Sequence, residues 1–137
     1  MGERPVNIYL DASAIIYGIE GAGELRVAVL AWITKAENSG GILSTSRLSR
    51  LECRVLPLRR GQTVLVAQYD EFFLRRSLNV VDIGGSVIDR ATDLRVRYGL
   101  KTPDAIHVAT AIECGADLIL TGDRDMTRLE DIRVELV

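Results

Sequence analysis

Four carboxylates in this chain stand where a globular protein gains little by placing them. Asp11 interrupts NIYLDASAIIYG (residues 7–18), a stretch apolar on both sides of it, and Asp123 follows the apolar run DLILTG (117–122). Glu52 lies in RLSRLECRVLPLRRG (47–61), where about 100° of helical turn per residue gathers Leu48, Leu51, Val55 and Leu56 into one apolar stripe. Glu52 projects inside that stripe, with Arg47, Arg50 and Arg54 on the opposite side. Asp104 borders the stripe made by Val108, Ala111 and Ile112. A carboxylate facing apolar surroundings is costly unless a cation or a donor meets it, and several together raise one another's pKa until positive charge neutralises them. Mg2+ and Mn2+ are hard ions that take oxygen ligands, often one or two carboxylates with retained waters. The chemistry this set suits is therefore divalent-cation binding, with Asp11 as a ligand. An everyday alternative stands beside each residue. Glu52 reaches solvent at the edge of its stripe, Asp104 complements a helix macrodipole, and the four acids are unrelated.

The elements that must position these acids are legible from periodicity. VNIYL predicts a first strand ending at Asp11, followed by a short helix over SAIIYG. ELRVAVLAWITKAENSGG has helical spacing of Leu25, Val29 and Ile33 and stops at Gly40–Gly41. ILSTS predicts a second strand, with Ser46 capping the next helix, itself interrupted or ended near Pro57. VLVAQYDEFFLRRS reads as a helix and NVVDI as a strand ended by Asp82, where an acid simply terminates the element. SVIDRATDLRVRYGL is a helix opened by Ser86 and closed by Gly99. The next has Thr102 as N-cap, Pro103 at its first position and Gly115 past its end. DLILT, a helical turn over RDMTRLED and a final strand IRVELV complete the chain. Strands alternating with helices predict an α/β layered fold with a largely parallel sheet. The functional crevice of such a sheet lies outside the carboxyl ends of its strands, the rim that Asp11 and Asp123 share.

Bulk properties bound the rest. The chain has 137 residues, 47% hydrophobic and 26% charged, which suits a single globular domain over 1–137. No apolar run approaches the roughly 20 residues needed to span a bilayer. MGERPVN has no apolar signal core, so a cytoplasmic protein without a membrane partner is expected. Cys53 and Cys114 form no close metal-type pair and are expected as buried small hydrophobes. A net charge of −2 provides no global field for nucleic acid. The basic residues are nevertheless 15 Arg against 2 Lys, and five Arg with one Glu fall between Ser44 and Gln62. Arginine suits bidentate phosphate contacts, and a solvated helix face or a codon bias accounts for it equally well.

Four segments taken in order, YLDASAIIY, STSRLSRLE, LKTPDAIHVATA and ADLILTGDRDM, make essentially the whole chain resemble a PIN domain, the metal-dependent ribonuclease fold of VapC-type toxins. They are similar to that family's strand-ending D-x-S, its small-polar lead into a helix ending on glutamate, its D-A-x-H-x-A-x-A helix and its T-x-D-x-D-F ending. The resemblance implies an α/β/α sandwich with Asp11, Glu52 and Asp104 as the acidic core. Asp123 or Asp125 supplies the fourth acid, Asp123 ranking first because it directly follows the strand. Asp11, Asp104 and Asp123 are the implied ligands of Mg2+ or Mn2+, and Ser13 and Thr121 match hydroxyl positions that orient a ligand or water. Met126 departs from the usual Phe and Ala12 from a common Thr. His107, the only histidine, sits one turn beyond Asp104 and has a side chain suited to proton transfer, but the family pattern treats its position as structural.

The implied activity is metal-assisted hydrolysis of RNA phosphodiester bonds, with phosphate contacts from Arg47, Arg50 and Arg54. The implied partners are an RNA substrate, a cognate antitoxin and a second copy of the chain in a homodimer. A catalytically idle PIN scaffold, or a processing nuclease outside any toxin–antitoxin pair, is the alternative. Other acid-bearing α/β classes fit less well. A receiver-type phosphotransfer domain needs a lysine at a strand end, which neither Lys35 nor Lys101 provides, and GIEGAG lacks the lysine of a phosphate-binding P-loop.

Overall fold

The computed structural model describes residues 4–137; the expectation for MGERPVN thus falls partly on residues 1–3, outside those described. Five strands, β1 (Ile8–Leu10), β2 (Leu43–Ser46), β3 (Leu78–Val81), β4 (Leu118–Thr121) and β5 (Arg133–Leu136), form one sheet in the order β3-β2-β1-β4-β5. Every pairing is parallel. β1, β2 and β4 are buried along their whole length, which is why β1 and β4 read as continuous apolar runs rather than alternating ones.

Helices cover both faces. α1 (Ala12–Glu20), α2 (Glu24–Asn38), α3 (Arg47–Arg59) and α4 (Thr63–Phe73) contribute to one core, built on Ile8, Leu10, Leu43, Leu118 and Leu120. α5 (Gly85–Tyr98) and α6 (Thr102–Glu113) cover the other, built on Tyr9 and Ile119. Alternation along a strand sends successive side chains to opposite faces, so Tyr9 points into the α5–α6 layer while its neighbours point into the α1–α2 layer. The result is the α/β/α sandwich that the resemblance implies, and its sheet is wholly parallel.

The strand order runs outward from β1 through β2 to β3, then returns to the other side of β1 with β4. The carboxyl ends of β1 and β4 therefore flank the switch point, where open α/β sheets form their crevices.

Several local expectations are corrected. The apolar stripe of α3 is not its buried face: Leu51, Val55 and Leu56 are exposed, and the face turned inward is Ser49, Cys53 and Pro57. Small side chains are required there because α3 lies close against β2 and α1, with Ser49 hydrogen-bonded to Thr45 (2.7 Å). α3 also continues two residues past Pro57. Leu25 is exposed, leaving Val29 and Ile33 to bury α2. Ser46 occupies the N-cap position of α3 but donates and accepts nothing there; its buried hydroxyl has no protein partner. α5 is capped at Gly84 rather than opened by Ser86, and α6 by Lys101, placing Thr102 inside the helix. Gly99 ends α5 with φ of +68°, a left-handed conformation that glycine adopts without strain. Cys53 is buried as expected, whereas Cys114 is only half-buried.

Candidate active site

Asp11 closes β1 and opens α1. It is buried, and its Oδ1 caps the helix by accepting from the Ala14 N–H (2.9 Å). The same oxygen accepts from the Ser13 hydroxyl (2.6 Å), and Oδ2 accepts from the Thr121 hydroxyl (2.5 Å). Both hydroxyls are in turn acceptors. Gly122 N–H donates to Ser13 Oγ (2.9 Å) and Asp123 N–H donates to Thr121 Oγ1 (3.0 Å). Two short relays thus tie the backbone leaving β4 to the Asp11 carboxylate. Charge-assisted bonds of this kind are strong and hold the buried carboxylate in one orientation.

Asp123, half-buried, caps the 3₁₀ turn Arg124–Arg128 by accepting from the Asp125 N–H (2.9 Å). Asp125 itself is exposed. The segment behind it is fastened to α5, where Asp131 takes Arg97 Nη2 (2.6 Å) and the Tyr98 hydroxyl (2.6 Å).

Asp104 lies half-buried in the first turn of α6. Burial above all, and then the negative charge of Asp123, holds its carboxyl above the usual carboxylate range; Asp11 and Glu52 push the same way and His107 opposes them. Asp11, Glu52, Asp104 and Asp123 therefore share one electrostatic neighbourhood. Among the described residues no Arg or Lys forms an ion pair with any of these four. Nor do three His, Cys, Asp or Glu side chains converge there into a ready-made ligand group.

Glu52 is held from the opposite layer. Its Oε1 meets His107 Nε2 at 2.6 Å, and His107 Nδ1 meets the Tyr9 hydroxyl at 2.7 Å. His107 is buried. This contact joins residues 55 apart in the chain, and the periodicity of α3 alone gives no sign of it. The signals that point to it are a lone histidine on the inner face of α6 and a tyrosine at the middle of a buried strand.

Three of the four arginines of α3, Arg47, Arg50 and Arg54, are ion-paired within the chain. Arg47 takes Asp82 (2.5 Å), while Arg50 (3.3 Å) and Arg54 (2.8 Å) share Asp70 of α4. Asp82 is thus an exposed ion-pair partner.

The donor set fits a divalent ion bound through few protein ligands. Asp11, Asp104 and Asp123 offer only carboxylate oxygens, the hard donors that Mg2+ and Mn2+ take, and none of the three is ion-paired to an Arg or Lys among the described residues.

Comparison with known proteins places the chain in a class. The PIN domain family model matches residues 8–132, so the chain belongs to the PIN domain family. No curated protein sequence matches it. Among solved structures it is similar to VapBC2 from Rickettsia felis bound to a DNA fragment from their promoter, at 14% identity and TM-score 0.76, over 96% of this chain and 99% of that one. It is also similar to VapC20 of Mycobacterium tuberculosis, a sarcin–ricin loop cleaving toxin, at 20% identity and TM-score 0.71, over 93% and 99%. A toxin–antitoxin complex from Klebsiella pneumoniae matches at 23% identity and TM-score 0.70, over 92% and 95%. At these identities the likeness is one of fold. No described helix is long and apolar enough to cross a membrane.

Proposed function

We propose that this PIN domain is an Mg2+- or Mn2+-dependent endoribonuclease acting in the cytoplasm, the toxin of a VapBC-like pair. The observation that carries the reading is geometric: Asp11 closing β1 and Asp123 following β4 are tied together through Thr121 at the sheet's switch point, and Asp104 lies half-buried in the first turn of α6 with no Arg or Lys ion-paired to it among the described residues. Carboxylates gathered in this way favour a divalent cation, and a bound cation in turn attracts phosphate. Asp11, Asp104 and Asp123 would hold the ion, which when bound supplies an activated water and stabilises charge on the attacking and leaving oxygens.

The chain's own groups do the rest. Ser13 and Thr121 keep the Asp11 carboxylate oriented by donating to its two oxygens. Glu52, with one oxygen taken by His107, keeps the lone pairs of the other to accept the proton of the attacking water. Asp125, on the exposed turn beside Asp123, is the alternative fourth acid. The neighbouring structures described as a toxin–antitoxin complex and as a sarcin–ricin loop cleaving toxin support an antitoxin partner and an RNA substrate. The apolar strip Leu51, Val55 and Leu58, left exposed on α3, supports a homodimer.

The direct test is RNA cleavage with Mg2+, with EDTA and in Asp104→Asn. Cleavage that requires the ion and is lost in the variant supports the reading. Cleavage that survives both EDTA and the substitution rejects it.

A further inference from the structure

Glu52 is the one of the four acids placed neither at a strand end nor in the first turn of a helix. Asp11 and Asp123 sit at strand ends and Asp104 in a helix's first turn, but Glu52 reaches the site from the middle of α3 on a side chain with three rotatable bonds. Such a chain surrenders its rotamer freedom only where a partner holds it. The partner is His107, whose side chain is 4% exposed against 29% for Glu52. Both imidazole nitrogens are engaged, at 2.6 Å to Glu52 and 2.7 Å to Tyr9. The Tyr9 and His107 rings meet edge-on, 5.9 Å between centroids.

We propose that His107 is the positioning residue of this site: bridging Tyr9 and Glu52, it fixes the direction in which Glu52 presents its free carboxylate oxygen. The chemistry of the relay assigns the protons. A phenol closed off from water keeps its hydrogen, and burial does raise the Tyr9 pKa. Tyr9 then donates to Nδ1, so the ring proton resides on Nε2 and donates to Glu52. The tautomer that Tyr9 selects is the one Glu52 needs. A ring oriented by a buried partner and passing that orientation to a reacting group is the same logic by which outer hydrogen bonds align metal-binding side chains.

The bridging geometry stands on its own, whereas its consequence for turnover rests on the nuclease reading, and the two are separable by experiment. The chain has one histidine, so the protein labelled with 15N-histidine gives a single pair of ring-nitrogen resonances. The expected spectrum shows a protonated Nε2 and an unprotonated Nδ1, with the Nε2 resonance displaced in Glu52→Ala. The Nδ1-protonated tautomer, or resonances indifferent to Glu52→Ala, overturns the proposal.

The turnover arm compares His107→Gln, whose amide still offers an N–H to Glu52, with His107→Leu, which fills similar volume and offers none. His107→Leu is expected to lower kcat for RNA cleavage about 10–100-fold with KM little changed, and His107→Gln to restore most of it. Wild-type kcat in a folded His107→Leu, or equal kcat losses in both variants, contradicts it. Where His107→Leu does not fold, Tyr9→Phe removes the donor to Nδ1 and keeps the ring; a lower kcat with a loosened Nε2 resonance supports the relay, and no change in either refutes it. A wild-type chain that cleaves no RNA defeats the nuclease reading, and the ring-nitrogen spectrum still decides the positioning.

Discussion

Thr121, the last residue of β4, donates its hydroxyl to Asp11, the residue that closes β1, across 2.5 Å. One hydroxyl thus joins the two strand ends that flank the sheet's switch point, and by accepting from the Asp123 N–H it also sets where the next acid begins. Thr121→Val keeps the shape and deletes the donor. A buried carboxylate deprived of a partner is expected to lower unfolding free energy by about 1–3 kcal/mol, read from urea denaturation. A change below about 0.5 kcal/mol, the scale of an ordinary surface substitution, would show that the relay contributes nothing.

Asp104 stands in the opposite position, a group that the metal-free fold would stabilise by leaving protonated. Its folded pKa is raised above the ordinary 3.8. The native state therefore binds more protons than the unfolded chain through that window, so its contribution is fully present below 3.8 and lost as pH rises through the raised value. Asp104→Asn should accordingly raise the melting temperature of the metal-free protein at neutral pH by a few degrees, flatten that part of its pH dependence, and abolish cleavage. Loss of stability in the variant would mean that the acid is compensated by the fold itself.

How far each element was readable before the structure follows from the range of the interactions that make it. β1 and β4, with an acid after each, are visible because full burial writes a local apolar run and a parallel sheet exposes its strand ends on one rim. Ser13 and Thr121 are recognisable as hydroxyls in the right places, although their shared acceptor on Asp11 is a contact between residues 110 apart in the case of Thr121. α3 misleads: its leucines and valine trace a stripe, yet close packing against β2 and α1 demands small side chains, so Ser49, Cys53 and Pro57 turn inward. Glu52 then gains its partner from α6 and not from the stripe. Ser46 has the side chain of a cap and makes no capping bond, because tertiary placement decides where a hydroxyl points.

The arginines of α3 give a prediction that separates stability from RNA contact. Arg47 is 62% exposed and pairs with the still more exposed Asp82, an arrangement that contributes little to stability. Arg47→Ala is expected to leave the melting temperature unchanged. If the side chain meets a phosphate, it should also weaken RNA binding and reduce the dependence of log K on log salt by about 0.7, as for one lost single-strand phosphate contact. An unchanged salt slope would assign Arg47 to its ion pair alone.

The central claim is that Asp11, Glu52, Asp104 and Asp123 form one negatively charged site that a divalent ion makes tolerable, and thermal or chemical unfolding against Mg2+ or Mn2+ tests it most directly. An ion at about 100 times its Kd adds roughly 2.7 kcal/mol to the unfolding free energy of a protein that binds it only when folded. The account predicts a gain of that order for the native chain and little or none for Asp11→Asn. No gain in the native chain, or the same gain in both proteins, would contradict it.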